Sequence, residues 1–391
     1  MPLPDTRQVA VVGVGRTGVG RALGRTPLDL SAEALRLALD DAGLDRDDVD
    51  GLFTNVGDPL AADYDRMAEA FGLSLRCAVQ TWSHGRFVGT SLQAAVTAVA
   101  LGQADVAVCL GGVAFSRAGM VGGSMDVEGE RQGVGSHGEV PHYGMTAPGG
   151  GAAMAFRRYC DRYCYEPDLI SAVPVAARRH ARLNPGAQMT RPLDHNAYLE
   201  QPYIVEPLRR PDFALLSDGG AALLVTTLDR ARDLRQPAVV VGGMQGLHAG
   251  RDEFIFAPPG LGVYAQGDVR RRESNPAYAM AGLAGPQDVD TLALYDAFSP
   301  NVVFVLERFG FTGEGEALAW LQKGRIEVGG DLPVNTAGGL LAEAHLCGWG
   351  HMVELARQVR GQAGERQVVG CEVAQWATTF GDSLIFHQDR R

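Results

Sequence analysis

The run SLQAAVTAVAL, Ser91 to Leu101, has the composition of a helix and carries apolar residues on almost every face. Such a helix has to be covered on all sides. Two sheets closing on it from opposite sides would cover it, with further helices capping the stack. The strand-like run that follows, VAVCLG from Val106 to Gly111, is continuously apolar, as in a sheet buried on both faces. The chain is therefore expected to be α/β and layered.

A long-range self-similarity supports this. The first half reads VAVVGVG from Val9, a helical run SAEALRLALDDAG from Ser31, then DDVDGLFTN from Asp47. The second reads AVVVGG from Ala238, a helical run AYAMAGLA from Ala277, then QDVDTLALY from Gln287. Strand, small-residue helix and a strand led by Asp-Val-Asp recur in order, predicting two similar halves, 1–235 and 236–391. The second counterpart of the Ser91 helix, MVELARQV from Met352 to Val359, reads as amphipathic, so the symmetry is imperfect. The first half also holds a Gly- and Met-rich region at about 116–150, whose composition suits an adaptable loop over an apolar ligand.

With 391 residues, 46% hydrophobic, the chain is long enough for a large core. Its formal charge of −11 argues against a nucleic-acid partner, which would need clustered cations. Lysine occurs once, at Lys323 in a polar turn, which excludes a Schiff-base aldolase needing a desolvated lysine. The six cysteines lack secreted-domain spacing, and Cys109 reads as core, so a reducing, cytoplasmic setting is expected. Cys160 and Cys164 are expected on one helix face, but no second ligand pair accompanies them, so no metal is expected. Met1 to Gln8 lacks a signal pattern, and Gln103 and Asp105 interrupt the apolar run from Ala94 to Phe115, so neither export nor a membrane span is expected.

The run GVGRTG, Gly13 to Gly18, matches the dinucleotide fingerprint, which works only where a helix starts at the turn. Gly24 and Pro27 intervene, and helical periodicity begins near Ser31. The glycines read instead as a tight turn ending a buried strand.

The most site-like stretch is PVNTAGGLLAEAHLCGWGH, Pro333 to His351. Thr336 to Gly339 form a small-residue turn, and His345 is expected on a tight loop before a packed helix. This run resembles the thiolase signature, in which an Asn, a Gly-Gly pair and a histidine six residues later open the second core helix. LYDAFSP from Leu294, RPLD from Arg191, PLRRPDF from Pro207 and SDGGAALLV from Ser217 extend the resemblance over nearly the whole chain. They point to the sterol-carrier and lipid-transfer branch. The resemblance implies a five-layered αβαβα fold, with His345 as the family histidine and Tyr295 in the polar slot before Asp296.

The covalent machinery of condensing thiolases is missing. Counting back from Asp105 puts the acyl-accepting position at Gly85, and Cys77 lies eight residues too early. The second catalytic cysteine would fall at Gln375, with Cys371 four positions off. An acyl-enzyme needs an activated nucleophile, so the resemblance implies the aldolase-like members instead. They act on acyl-CoA thioesters, with CoA thioester as substrate and no permanently bound cofactor.

The expected reaction is retro-aldol cleavage of a β-hydroxyacyl-CoA, or its reverse, by noncovalent acid-base catalysis. His345 is the preferred base because an ordinary imidazole, pKa about 6.5, is more available than a phenol of about 10. Aldolase-like relatives carry a tyrosine where His345 stands, which leaves the acid and base roles of Tyr295 and His345 open. His84, His142 and Cys347 are auxiliary candidates, and Asp296 is expected to fix local structure. The alternatives are an acyltransferase, possible through Cys347, and a non-catalytic acyl-CoA or lipid-binding subunit. The resemblance further implies a homodimer and a small OB-fold, zinc-ribbon partner protein.

Overall fold

The computed structural model describes residues 7–55, 57, 61–81, 88–117, 148–247 and 276–389. Its strands, in chain order, are β1 (Val9–Arg16), β2 (Gly51–Thr54), β3 (Cys77–Gln80), β4 (Val106–Ala114), β5 (Tyr203–Val205), β6 (Leu208–Arg209), β7 (Asp218–Thr227), β8 (Val239–Gln245), β9 (Thr291–Leu294), β10 (Val373–Ala377) and β11 (Ser383–Gln388). The helices are α1 (Pro27–Ala42), α2 (Tyr64–Phe71), α3 (Val88–Ala100), α4 (Pro148–Tyr163), α5 (Ala172–Arg182), α6 (His195–Leu199), α7 (Leu228–Ala231), α8 (Pro276–Met280), α9 (Pro300–Arg308), α10 (Ala317–Trp320), α11 (Gly339–Ala342) and α12 (Trp349–Val359).

Nine strands form one mixed sheet in the order β3-β2-β4-β7-β1-β8-β11-β10-β9. The groups β3 to β1 and β8 to β9 meet only at β1 and β8, through the pairs Ala10↔Val240 and Val11↔Val239. Three hydrophobic clusters show how the sheet folds back on itself. Ala10, Val12, Val106, Val108 and Leu224 pack under α1 on one face of the first group. Alternate residues of the same strands, Val9, Val11, Ala107, Cys109 and Val225, share a middle cluster with α3, α12 and Ala374, Trp376, Leu384 and Phe386 of the second group. Leu292, Leu294, Val373 and Ile385 point the other way, toward α4, α5 and α9. With period-2 alternation, this gives the layers α, β, α, β, α that the resemblance implies, with the all-apolar helix in the middle.

The middle layer is α3 with α12. On α3 only Thr97 is exposed, and Gln93 Nε2 crosses to donate to the carbonyls of Gln245 and Ser383, at 2.7 and 3.2 Å. On α12 every residue except Arg357 is buried, contrary to the amphipathic reading. Its polar residues are paired internally: the Glu354 carboxylate accepts from Arg366 and from Thr336 and Gln358. Arg366 lowers the Glu354 pKa against the upward push of burial.

The repeated Asp-Val-Asp has a structural purpose. Asp50 Oδ1 accepts the N–H groups of Asp105 and Val106, which open β4. Asp290 Oδ2 likewise accepts those of Glu372 and Val373, which open β10. The preceding carboxylates of Asp48 and Asp288 each close a single 3₁₀ turn, on Asp45 N and Ala284 N. Each motif therefore satisfies strand-opening donors that would otherwise lack partners.

Three expectations change. Helix α1 starts at Pro27 rather than near Ser31, because Thr26 caps it and forms a capping box with Asp29, with Pro27 in the first turn. Gly13 and Gly15 lie inside β1 rather than at a turn after it. A Cβ on Gly15 would sit 2.2 Å from Ala34 O, and one on Gly13 2.4 Å from Ala38 O. These glycines let α1 lie against the sheet, and no helix begins at Gly18 to receive a pyrophosphate. Finally, α4 ends at Tyr163 and Cys164 takes a left-handed conformation (φ 57°), so Cys160 and Cys164 do not share a helix face. Among the described residues no helix is long and apolar enough to cross a membrane.

Since the atoms a Gly15 Cβ would meet are backbone, Gly15→Ala is expected to cost about 1–3 kcal/mol through overpacking. A lowered urea midpoint with an unchanged slope would show this, and unchanged stability would contradict the close approach.

Candidate active site

Strand β9 ends at Leu294, and the next residue, Tyr295, is fixed from several sides. The Asn335 side chain imitates a neighbouring strand: its Oδ1 accepts from Leu294 N at 2.8 Å and its Nδ2 donates to Leu294 O at 3.2 Å. Asn301 Nδ2 donates to the Tyr295 carbonyl at 3.0 Å. The segment before Asn335 runs beside β9, with a parallel bridge Leu292↔Val334.

His345 lies between α11 and α12, on the tight loop expected from the small-residue run. Its backbone N–H donates to Ser217 Oγ at 2.9 Å, and that hydroxyl donates to Gln188 Oε1 at 2.9 Å. The imidazole stacks on Phe115, with ring centroids 4.7 Å apart and planes 16° apart. The Tyr295 hydroxyl is 3.1 Å from His345 Nε2, with the rings edge to face. The structure thus brings together, from positions fifty residues apart, the two rings singled out in the sequence.

The electrostatics of the pair are set by burial. Desolvation pushes the His345 pKa down to about 4; Asp296 opposes the shift and His351 adds to it. The ring is half-buried by exposed area, yet enough protein surrounds it to keep it neutral at physiological pH. An imidazolium so destabilised is far more acidic than a phenol, so the pair rests neutral, and in the tautomer that carries its hydrogen on Nδ1 the Nε2 atom accepts the Tyr295 hydroxyl proton.

Asp296 is buried and tied to two neighbouring segments. Its Oδ1 accepts from Leu340 N, in α11, at 2.9 Å and lies 3.0 Å from His351 Nε2. A Cβ on Gly339 would fall 2.1 Å from Asp296 Oδ2, which explains the second glycine of the Gly-Gly pair. His351 leans on the Trp376 ring, so it supports the floor of the site.

The remaining candidates lie elsewhere or are spoken for. Cys347 is buried in the middle core with a left-handed backbone (φ 53°), and desolvation raises its thiol to about 12. That is no resting nucleophile. Gln375 lies within β10, its amide engaged by Tyr278 OH and Ser383 Oγ, each at 3.0 Å. Ala377 pairs with Leu294, so the turn after β10, from Thr378, emerges at the Tyr295 end of the sheet. His84, Gly85 and His142 lie outside the described residues. Lys323 occupies an exposed left-handed turn (φ 68°). No group of three or more His, Cys, Asp or Glu side chains among the described residues could hold a metal ion.

Sequence reasoning missed Phe115, Ser217 and Gln188. Ser217 stands at the head of the motif SDGGAALLV, whereas Phe115 gives no signal beyond ending an apolar strand.

Residues 268–385 match the family model described as Thiolase C-terminal domain-like. The chain is 37% identical to the 17-hydroxy-3-oxo-4-pregnene-20-carboxyl-CoA lyase of Mycobacterium tuberculosis, covering 90% of this chain and 92% of that protein. It is 36% identical to the steroid side-chain-cleaving aldolase of Thermomonospora curvata, covering 90% of each. The solved Ltp2-ChsH2(DUF35) aldolase superposes with a TM-score of 0.87 at 31% identity, over 100% of this chain and 99% of that one. The chain belongs to the thiolase superfamily, in its sterol-carrier and lipid-transfer-like branch with the aldolases. It is an enzyme of the carbon–carbon lyase type.

Because the Cys347 thiol is buried and protonated, Cys347→Ala is expected to keep turnover within about threefold of wild type. Intact-mass spectra after incubation with acyl-CoA should show no adduct. An acyl mass shift that the substitution removes would restore the covalent alternative.

Proposed function

We propose that the enzyme breaks the Cα–Cβ bond of a β-hydroxyacyl-CoA by retro-aldol cleavage, with Tyr295 and His345 moving one proton. The observation that carries this reading is the 3.1 Å contact between the Tyr295 hydroxyl and His345 Nε2, with Cys347, two residues from His345, kept protonated by burial. The substrate's β-hydroxyl proton passes to the pair and is held at His345 Nε2, either directly or through the Tyr295 oxygen. The Cα–Cβ electron pair then leaves as a thioester enolate and the β-carbon becomes a carbonyl. The imidazolium, acidic because it is poorly solvated, returns the proton to the α-carbon. The products are a ketone or aldehyde and a shortened acyl-CoA, with the pair back in its starting state.

The acyl group is proposed to be a bulky alicyclic one, since the names of the two relatives refer to pregnene and steroid side-chain substrates. A small partner protein of the OB-fold, zinc-ribbon kind is proposed as well, supported by the ChsH2(DUF35) component of the similar solved aldolase. A homodimer is the proposed oligomeric state.

Positioned acid-base groups contribute roughly 10² to 10⁴-fold each. Tyr295→Phe and His345→Phe are therefore expected to slow ketone release by at least about 10²-fold, measured by mass spectrometry on a panel of β-hydroxyacyl-CoAs with and without a partner. A folded variant with the full cleavage rate would remove that residue from the scheme.

The pH profile gives an independent check. Neutral Nε2 is the proton-accepting form, and burial pushes the His345 pKa down to about 4. Activity should hold as pH falls from about 8 to about 5.5 and be lost only on approach to the lowered pKa; an acid limb centred near the ordinary value of about 6.5 would contradict it.

A further inference from the structure

His180, on α5, is 1% exposed, and both its ring nitrogens are engaged. Nε2 lies 3.0 Å from Val328 N, and Nδ1 lies 3.1 Å from Asn335 O. A backbone N–H can only donate, so Nε2 is the bare nitrogen and the Nδ1 proton is donated to the Asn335 carbonyl. The ring is thereby held in one neutral tautomer. Burial supports this state by lowering its pKa to about 4. The nearby carboxylates are those of Glu327 and Glu354, which Arg179 and Arg366 already pair.

Asn335 is the residue whose side chain clamps the Leu294 backbone, one position before Tyr295. It does so from a left-handed conformation, φ 52°, which non-glycine residues adopt only where their surroundings hold them there. Two donors fix its carbonyl: Gly338 N at 2.8 Å and the His180 ring. Fixing the carbonyl fixes the peptide plane after Asn335, and so the direction in which its side chain leaves.

We infer that His180 is a positioning residue for the reaction: by holding the Asn335 carbonyl it keeps the amide clamp on Leu294, and so keeps the Tyr295 hydroxyl in register with His345. This rests on the reading that Tyr295 and His345 carry the chemistry. A misplacement of about 1 Å at a reacting group can cost on the order of 10²-fold in rate, so a strut of this kind acts on kcat more than on substrate binding.

The two nitrogens can be separated by substitution. His180→Asn puts an amide where Nδ1 stands and keeps the bond to Asn335; His180→Gln reaches the Nε2 position and keeps only the bond to Val328. Steady-state kinetics should show His180→Asn within about threefold of wild-type kcat. His180→Gln should lose at least about tenfold in kcat, with KM within about threefold for both, and with similar falls in Tm. If the glutamine variant does not accumulate, His180→Leu, which lacks both bonds, is read in the same way. Wild-type kcat in His180→Gln or His180→Leu, or equal losses in the asparagine and glutamine variants, overturns the inference while Tyr295→Phe is inactive. If Tyr295→Phe itself turns over at the wild-type rate, the underlying assignment of the chemistry fails instead.

Discussion

Helix α12 has almost no face on solvent, and the arrangement around it follows from that constraint. A buried polar group without a partner costs free energy of order kcal/mol, and a buried charge costs more. Each polar side chain that the sequence places on α12 therefore needs an internal partner. His351 reaches Asp296 and Glu354 reaches Arg366, Thr336 and Gln358. Of these partners, Asp296 follows Tyr295 directly and Thr336 lies on the run that leads to His345. The demand for satisfied hydrogen bonds in the middle layer thus anchors the floor of the site.

The same burial tunes the chemistry. Imidazole surrounded by protein rather than water is a weaker base, and its conjugate acid a stronger one, than in solution. For the proposed relocation of a proton from oxygen to carbon this is an advantage, because the acceptor must not keep what it takes. Phe115 stacked on the ring and Ser217 on its backbone limit its freedom to swing away from Tyr295. Cys347, two residues on, shows the opposite outcome of similar desolvation: a thiol that stays protonated.

Much of this was legible in the sequence. The Ser91 helix called for cover on every side, which two sheets supply, and the histidine loop was readable from Asn335, Gly338 and Gly339. The Asp-Val-Asp repeat was visible as a pattern, but its purpose was not, since Asp50 and Asp290 cap strands that lie far along the chain. The start of α1 was misjudged because Gly24 and Pro27 look like breakers, although Thr26 and Asp29 were a capping signal in plain view. Helix α12 reads as amphipathic because pairing of Glu354 and His351 with distant residues leaves no local trace. The resemblance put the second catalytic position at Gln375, whereas strand pairing brings the turn from Thr378 to the end of the sheet where Tyr295 sits.

The seam at β1 and β8 is only two residue pairs long, so backbone pairing does little to join the two strand groups. What joins them is the middle cluster, in which α3, α12 and side chains of both groups are buried together. Phe115 and Ser217 adjoin strands of the first group while His345 precedes α12, so the stacking and the hydrogen bond that hold the imidazole cross between the groups and depend on that shared layer.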